Sequence, residues 1–291
     1  MHLTKNLIRS DNVKIALIPN ADKPRAILCA EQIATLLADN GATILLHSDL
    51  KGTINMPCAE FCSSYEELFS CCDCAVTVGG DGTIIHSARY CAIYEKPVIG
   101  VNLGTLGYVA ELEPSEISSL TRLLNGDYTV AQRMLLDVSV IREDGTRTSY
   151  LAVNDAVISR GSLSCIIDLD VYVEGEKIST YRADGLLFST PTGSTAYALS
   201  AGGPVIDPHL SLIELTPVCP HSLTARTVIF SDDTVLSVKC NSPQTSYLTV
   251  DGQVSVELSS TDTVCISKSQ HKLRTVILKD KNFYKTAGEK L

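Results

Sequence analysis

The sequence predicts two folds in one chain, an N-terminal doubly wound α/β domain followed by an all-β domain of sandwich type. Three observations predict this. Apolar runs alternate with helical patterns through the first 133 residues. Beyond them, short runs rich in Val, Ile, Thr and Tyr follow one another without helical spacing. The chain has 291 residues and is 45% hydrophobic, enough to give each part its own core.

In the first part, VKIALIP (13–19) reads as a strand. Pro24 then opens a helical pattern with Ile27, Leu28, Ile33, Leu36 and Leu37 on one face, and Asn40-Gly41 stops it. ATILLH (42–47) is a second strand, and Ser64-Tyr65-Glu66-Glu67 reads as a capping box opening a short helix. AVTV (75–78) is a third strand, followed by a helix after Thr83. PVIGVN (97–102) is a fourth, and Pro114 to Leu124 is a further helix closed by Asn125-Gly126. Strands alternating with helices imply a parallel sheet covered on both faces.

From 134 to 270 the strand candidates include LLDVSVI, SYLAVNDAVIS, IIDLDVYV, GLLFSTP, TVLSVKC, SYLTV and VSVEL. Turn pairs such as Asp144-Gly145, Glu174-Gly175 and Asp251-Gly252 separate several of them. Residues 271–291 add one strand, TVIL, and a polar tail that in one reading returns to the N-terminal domain.

Composition narrows the function. A net charge of −9 argues against a general nucleic-acid binder, which needs a basic face. No run reaches the ~18 apolar residues of a membrane span, and the first residues are too polar for a secretory leader. The expected location is the cytoplasm. The eleven cysteines therefore read as reduced thiols packed in the core, with the Cys58–Cys74 cluster beside a strand rather than a zinc module.

The chemistry concentrates at VTVGGDGT (76–83), where a buried strand ends in glycines and one carboxylate, Asp81, stands among them. Ligands of parallel sheets bind beyond the carboxyl ends of strands. Glycines let backbone approach a ligand, and a following helix offers unpaired N–H groups to phosphate. Asp81 is then either a base for an attacking hydroxyl or a holder of a divalent cation. The plainer alternative is a tight turn with Asp81 as helix cap. Neither the P-loop nor the dinucleotide G-x-G-x-x-G pattern is present. Other polar segments interrupt apolar runs: Asn102 to Tyr108, Asn154-Asp155, Arg182-Ala183-Asp184, and Thr190 to Pro204, dense in hydroxyls and glycines and carrying Tyr197. That last loop suits hydrogen bonding to a purine and a sugar.

Together these segments, from Val76 to Gln253 and including Pro217 to Leu223, resemble the NAD kinase family, which uses ATP to phosphorylate NAD to NADP. The resemblance implies an α/β domain joined to a β-sandwich, a homodimer or homotetramer, and a divalent cation, magnesium, brought with ATP and not ligated directly by side chains. It implies NAD and ATP as small-molecule partners, with no nucleic acid and no membrane. It makes Asp81 the base that takes the proton of the adenosine-ribose 2′-hydroxyl. Gly79, Gly80, Gly82 and Thr83, with Asn102 and Gly104, line phosphates. Asn154 and Asp155 hold the adenosine half of NAD. Arg182 and Asp184 come from the neighbouring subunit. Thr195, Ala196, Tyr197 and Ser200 grip the adenine region, and Gln253 sits at the rim.

Three positions depart from the family pattern. Asp155 stands where many members carry Glu, a reach shorter by about 1.5 Å. Tyr108 replaces a common Phe, and His86 a common Arg. His86, four residues after Gly82, either faces the phosphates or is an idle surface histidine. His221 reads as a hydrogen-bonded structural histidine. Two other functions remain open at this point. One is an NAD(P)-binding sensor without turnover, and the other a lipid or sugar kinase sharing the glycine turn.

Overall fold

The structure is a computed structural model that describes residues 4–5, 12–104, 107–161, 166–242, 245–279 and 283–290. Thr105 and Leu106 of the Asn102–Tyr108 segment, and Cys165, fall outside the described residues. In chain order the first elements are β1 (Thr4–Lys5), β2 (Lys14–Pro19), α1 (Pro24–Asp39), β3 (Thr43–His47), β4 (Glu60–Cys62), α2 (Tyr65–Cys71), β5 (Cys74–Gly79), α3 (Asp81–Ile93) and β6 (Pro97–Asn102). There follow β7 (Thr129–Ile141), β8 (Arg147–Ala152), β9 (Asp155–Arg160), β10 (Ile167–Val173), β11 (Glu176–Ala183) and β12 (Gly185–Ser189). The chain continues with α4 (Tyr197–Ser200), β13 (Leu212–Val218), β14 (Val228–Ser231), β15 (Leu236–Cys240), β16 (Ser246–Val250), β17 (Val254–Leu258), β18 (Thr263–Ile277) and α5 (Phe283–Lys290).

The chain divides into two compact units, one of Met1–Gln132 with His271–Leu291 and the other of Arg133–Gln270. In the first, the parallel strands run in the order β6-β5-β2-β3-β4. Arg274 and Thr275 of β18 extend this sheet by pairing parallel to Pro97 and Val98. After β2 the chain moves outward to β3 and β4, then returns to the other side for β5 and β6. The topological switch therefore falls between β2 and β5, where open α/β sheets place their ligands.

The core of this unit packs Ile15, Leu17, Val76 and Ile99 against one stripe of α1. The buried side of α1 is Ala26, Ile27, Cys29, Ala30, Ile33, Ala34 and Leu37, small residues that let the helix lie close to the sheet alternating with large ones that fill the core. Ile27, Ile33 and Leu37 of the expected pattern face in, whereas Leu28 is 60% exposed. The capping box is also displaced. Ser64 Oγ accepts the Glu67 N–H, but the Glu67 carboxylate turns back to the Ser63 N–H. The Pro114 helix is 3₁₀, over Pro114–Leu123, with i→i+3 bonds such as that from the Glu116 N–H to the Glu113 carbonyl.

The second unit is built from two antiparallel sheets. One has the order β14-β13-β12-β9-β16-β17, and the other contains β11-β10-β15-β18 and the β7–β8 hairpin. Their inner faces share one core, with Ile158, Phe188 and Leu248 from the first sheet and Val138, Leu169 and Val238 from the second. The α/β and β-sandwich fold classes expected from the sequence are both present.

The cysteines are mixed. Cys29, Cys62, Cys72, Cys74, Cys91 and Cys240 are buried free thiols, whereas Cys58, Cys71 and Cys219 are exposed, which corrects the expectation of core thiols throughout. Cys71 ends α2 on its outer side, while Cys74 begins a buried strand, so the C-x-x-C pair faces two environments. Burial pushes the Cys72 thiol up to about 12. Among the described residues, no helix is long and apolar enough to cross a membrane.

Candidate active site

The glycine turn begins inside β5, not after it. Gly79 is the last strand residue and pairs with Asn102 of β6. A Cβ on Gly79 would lie 2.3 Å from Thr83 Oγ1, so Gly79 is needed for the first turn of α3 to fold back on its own strand. Gly80 and Gly82 have the opposite character, with nothing within 4 Å of where a Cβ would stand. Their backbone is approachable at the N-terminus of a helix of 13 residues, where unpaired N–H groups and the dipole favour an anion. The helix starts at Asp81, three residues before the position read from the sequence, which puts Asp81 in its first turn. Gly100 lets Ile84 press against β6, fixing α3 on the sheet.

Asp81 is held by the segment after β6. Its Oδ2 accepts the Tyr108 N–H at 3.0 Å. Its Oδ1 is buried and has no hydrogen-bond partner among the described residues. A Cβ on Gly107 would come within 2.1 Å of either carboxylate oxygen. Gly107 is thus what allows the carboxylate to lie against this loop, and the sequence reading overlooked it. Asn102 is buried and donates from Nδ2 to the Gly104 carbonyl, so it shapes the same loop. Gly104 is exposed with open space at its Cβ position.

His86 lies on the outer side of α3, with its ring edge-on to Tyr65 at 5.8 Å between centroids. Desolvation against that ring, and then the Arg89 guanidinium, lower its pKa. The neutral imidazole dominates near pH 7, a weaker partner for phosphate than the arginine common in the family.

In the second unit, one carboxylate organises the start of β9. Asp251 accepts three backbone N–H groups, from Val153 at 2.9 Å, Asn154 at 2.7 Å and Asp155 at 3.1 Å. Asp251 sits at the β16–β17 hairpin with φ 51°, and Gly252 follows at φ 65°, the two left-handed central residues of a type I′ turn closed by the Gln253 N–H to the Val250 carbonyl. The same loop carries the exposed Gln253, so the structure brings Asn154, Asp155 and Gln253 to one hairpin tip. The sequence reading saw Asp251-Gly252 only as a turn; a contact across 96 to 98 residues leaves no local signal. Asn154 Oδ1 is buried without a partner. Asp155 is 6% exposed, and burial, then the Asp251 charge, push its carboxyl up to about 7.

The hydroxyl-rich loop departs from expectation. Thr190 Oγ1 donates to the Val153 carbonyl at 2.7 Å and accepts the Gly193 N–H, and Ser194 Oγ donates to the Pro191 carbonyl. Ser189, Thr190, Thr192 and Ser194 are all buried, so these hydroxyls build the loop and face away from solvent. A Cβ on Gly193 would lie 2.2 Å from the Asn154 carbonyl oxygen, which locks the loop to the start of β9. The outward positions are the later ones, Thr195, Ala196, Ser200 and Tyr197, the last 46% exposed on α4. Arg182 is exposed, and its carbonyl accepts the His221 N–H. Asp184 pairs with Arg160 at 2.8 Å within the same chain.

A glycine turn at the switch point of a parallel sheet, leading into a helix N-terminus, is a place where open α/β sheets hold a nucleotide phosphate. Residues 15–128 match the ATP-NAD kinase N-terminal domain, and residues 153–278 match the ATP-NAD kinase C-terminal domain. The NAD kinase of Citrifermentans bemidjiense is 38% identical over 281 residues, covering 96% of this chain and 98% of its own. That of Caldanaerobacter subterraneus subsp. tengcongensis is 35% identical over 280 residues, with the same shares. Yeast NADH kinase, solved with NADH, superposes with a TM-score of 0.88 over 99% of this chain and 90% of that one, at 24% identity. An Archaeoglobus fulgidus NAD kinase in complex with ATP gives 0.72 over 96% and 98%, at 23% identity, and both likenesses speak to the fold. The chain belongs to the NAD kinase family, kinases that phosphorylate NAD.

Proposed function

We propose that this chain transfers the γ-phosphoryl group of ATP to the 2′-hydroxyl of the adenosine ribose of NAD, with Asp81 as the general base. The observation that carries the assignment is the buried, unpartnered Oδ1 of Asp81, beside two glycines whose backbone is open. A carboxylate whose other oxygen is fixed by the Tyr108 N–H points one acceptor in one direction. A ribose hydroxyl is too weak an acid to ionise beforehand. Asp81 therefore orients it and takes its proton as the new P–O bond forms, an effect of about 10²–10⁴ in rate. The rest of catalysis in phosphoryl transfer is alignment and charge neutralisation. Gly80 and Gly82 supply N–H groups at the α3 terminus for the phosphates.

Asn154 and Asp155 are proposed to hold the adenosine ribose and base, with Thr195, Ala196, Tyr197, Ser200 and Gln253 completing the contact. Arg182 and Asp184 are proposed to serve a neighbouring subunit of a homodimer or homotetramer; the exposed Ile178, Val228 and Ile229 of the sandwich support such an assembly. Among the described residues, no group of three His, Cys, Asp or Glu could hold a metal ion. The residues suit a divalent cation carried in on the triphosphate and not ligated by side chains, and such an ion would neutralise phosphate charge. The proposed setting is the cytoplasm.

The test is NADP formation by the purified chain with NAD, ATP and Mg²⁺, read by a dehydrogenase that accepts only the 2′-phosphorylated dinucleotide. Product in that assay supports the reading. A folded chain that binds NAD and forms none contradicts it.

A further inference from the structure

The chain end that follows β18 returns to the segment holding Asp81. Glu111 Oε1 accepts the Leu278 N–H at 3.0 Å and the Lys279 N–H at 2.9 Å, and Lys279 forms an ion pair with Glu116. α5 then starts at Phe283. The Phe283 ring meets that of Tyr108 at 6.3 Å between centroids, tilted by 51°, inside the range where two aromatic rings attract. Tyr284 stands edge-on to Phe283 at 5.5 Å and is 67% exposed. Ala287, one helical turn beyond Phe283 and on the same face, is buried. α5 therefore turns Phe283 and Ala287 inward and leaves Tyr284 and Lys285 outside.

None of these residues of the chain end has a part in the site described above, whereas Tyr108 has. Its N–H donates to Asp81 Oδ2 at 3.0 Å. The residue before it, Gly107, is the one whose Cβ would strike that carboxylate. A glycine there leaves the backbone free to turn, so the peptide N–H of Tyr108 is aimed only as well as Tyr108 itself is anchored. The Tyr108 side chain is an anchor, and Phe283 is a ring that it packs against.

We propose that Phe283 is a positioning residue for the phosphoryl transfer. α5 holds the Tyr108 ring, Tyr108 holds one oxygen of Asp81, and the other oxygen is thereby kept in line with the acceptor hydroxyl. The inference rests on the reading of Asp81 as general base and adds to it a residue that acts through Asp81 and not on a substrate. A reacting group displaced by about 1 Å costs up to about 10² in rate, so a loss of packing behind the Tyr108 N–H is felt in turnover. Substrate binding is spared, because Phe283 reaches the site only through Tyr108. The fold is spared as well: Tyr108 and Phe283 are each half-buried and stand outside the cluster of Ile15, Leu17, Val76 and Ile99.

The test compares Phe283→Ala and Phe283→Tyr in the full chain, with Phe283→Ala also placed in the Asp81→Asn background. Circular dichroism and melting temperature establish folding. Where Phe283→Ala melts early, Phe283→Leu, which keeps apolar bulk without the ring, takes its place. Phe283→Ala is expected to lower kcat at least about tenfold, with the KM for NAD and for ATP held within about twofold. Phe283→Tyr keeps a ring and should restore kcat to within about twofold of wild type. In the Asp81→Asn background Phe283→Ala should cost nothing further, the non-additivity of two residues that act through one group. An equal fold-loss in both backgrounds overturns the proposal, because a general loosening of the fold is additive. Wild-type kcat in Phe283→Ala overturns it too, as does a raised KM for either substrate at unchanged kcat. Amide hydrogen exchange gives a readout free of turnover: in Phe283→Ala, exchange at Tyr108 should quicken while β5 and β6 keep their protection. Unchanged exchange at Tyr108 overturns the proposal. If wild type makes no NADP, or Asp81→Asn turns over as fast as wild type, the reading of Asp81 fails by itself, and exchange still decides whether Phe283 holds Tyr108.

Discussion

Two carboxylates show how position sets chemistry. Asp81 keeps one oxygen tied to a backbone N–H and one oxygen without a partner, and Gly107 is what makes room for it. Gly107→Ala is expected to push the carboxylate off its place. Turnover should fall at least about tenfold, since small misplacements of a reacting group cost that much or more, with melting little changed. Wild-type turnover in that variant would show that the carboxylate does not need this loop. Asp155 carries a different signature, a carboxyl raised from 3.8 to about 7 by burial and by Asp251. Between those pH values the folded chain binds a proton there that the unfolded chain has released. Stability from this group is therefore complete at low pH and is lost as pH rises through 7. The melting temperature should drop by at least about 3 °C between roughly pH 5.5 and 8. Asp155→Asn should remove most of that drop, and an equal slope in the variant would contradict the shift. Of these features, Asp81 and Asp155 were legible in the sequence because they interrupt apolar runs. Gly107 was not, because a glycine reveals its purpose only through the atom that its Cβ would strike.

Among elements, strand and helix identities were readable from hydrophobic period and turn residues, and the errors fell at ends and faces. α3 begins at Asp81 because Gly79 and Gly80 let the chain turn within the strand end, a detail that periodicity cannot locate. α1 turns Ile27, Ile33 and Leu37 inward as its period predicts, while Leu28 stands 60% exposed beside them. The loop from Ser189 to Ser194 is dense in hydroxyls, but they go to carbonyls of the loop itself and of Val153 and Asn154. The β16–β17 hairpin holds β9 by strand pairing from Ser246 to Val250 and clasps its first residues through the Asp251 carboxylate. Asp251→Ala leaves three N–H groups without their acceptor. It is expected to destabilise the second unit by about 1–3 kcal/mol or more, with Asp251→Asn milder because it keeps an acceptor. Equal melting curves for both variants and wild type would remove the clasp from the account.

For the whole chain, the two-fold composition was plain from the change in pattern near Leu135, and the return of residues 271–291 to the N-terminal domain was one reading of the sequence, although nothing local says which strand they pair with. β18 leaves the second unit at His271 and places Arg274 and Thr275 beside β6 of the first. Glu111 accepts the backbone N–H groups of Leu278 and Lys279, and Arg122 donates to the Leu278 carbonyl. A fragment ending at Gln132 is therefore expected to lack a strand of its own sheet and to stay unfolded by circular dichroism, whereas residues 133–270 carry a complete core and should fold. A cooperative melt from the N-terminal fragment alone would show that the returning strand is dispensable. The central claim, that this fold exists here to set Asp81 against a ribose hydroxyl, is tested most directly by running wild type and Asp81→Asn side by side for NADP formation and for NAD affinity. The account predicts turnover in wild type, a loss of at least about 10² in the variant, and NAD affinity retained. Near-normal turnover in Asp81→Asn would contradict it.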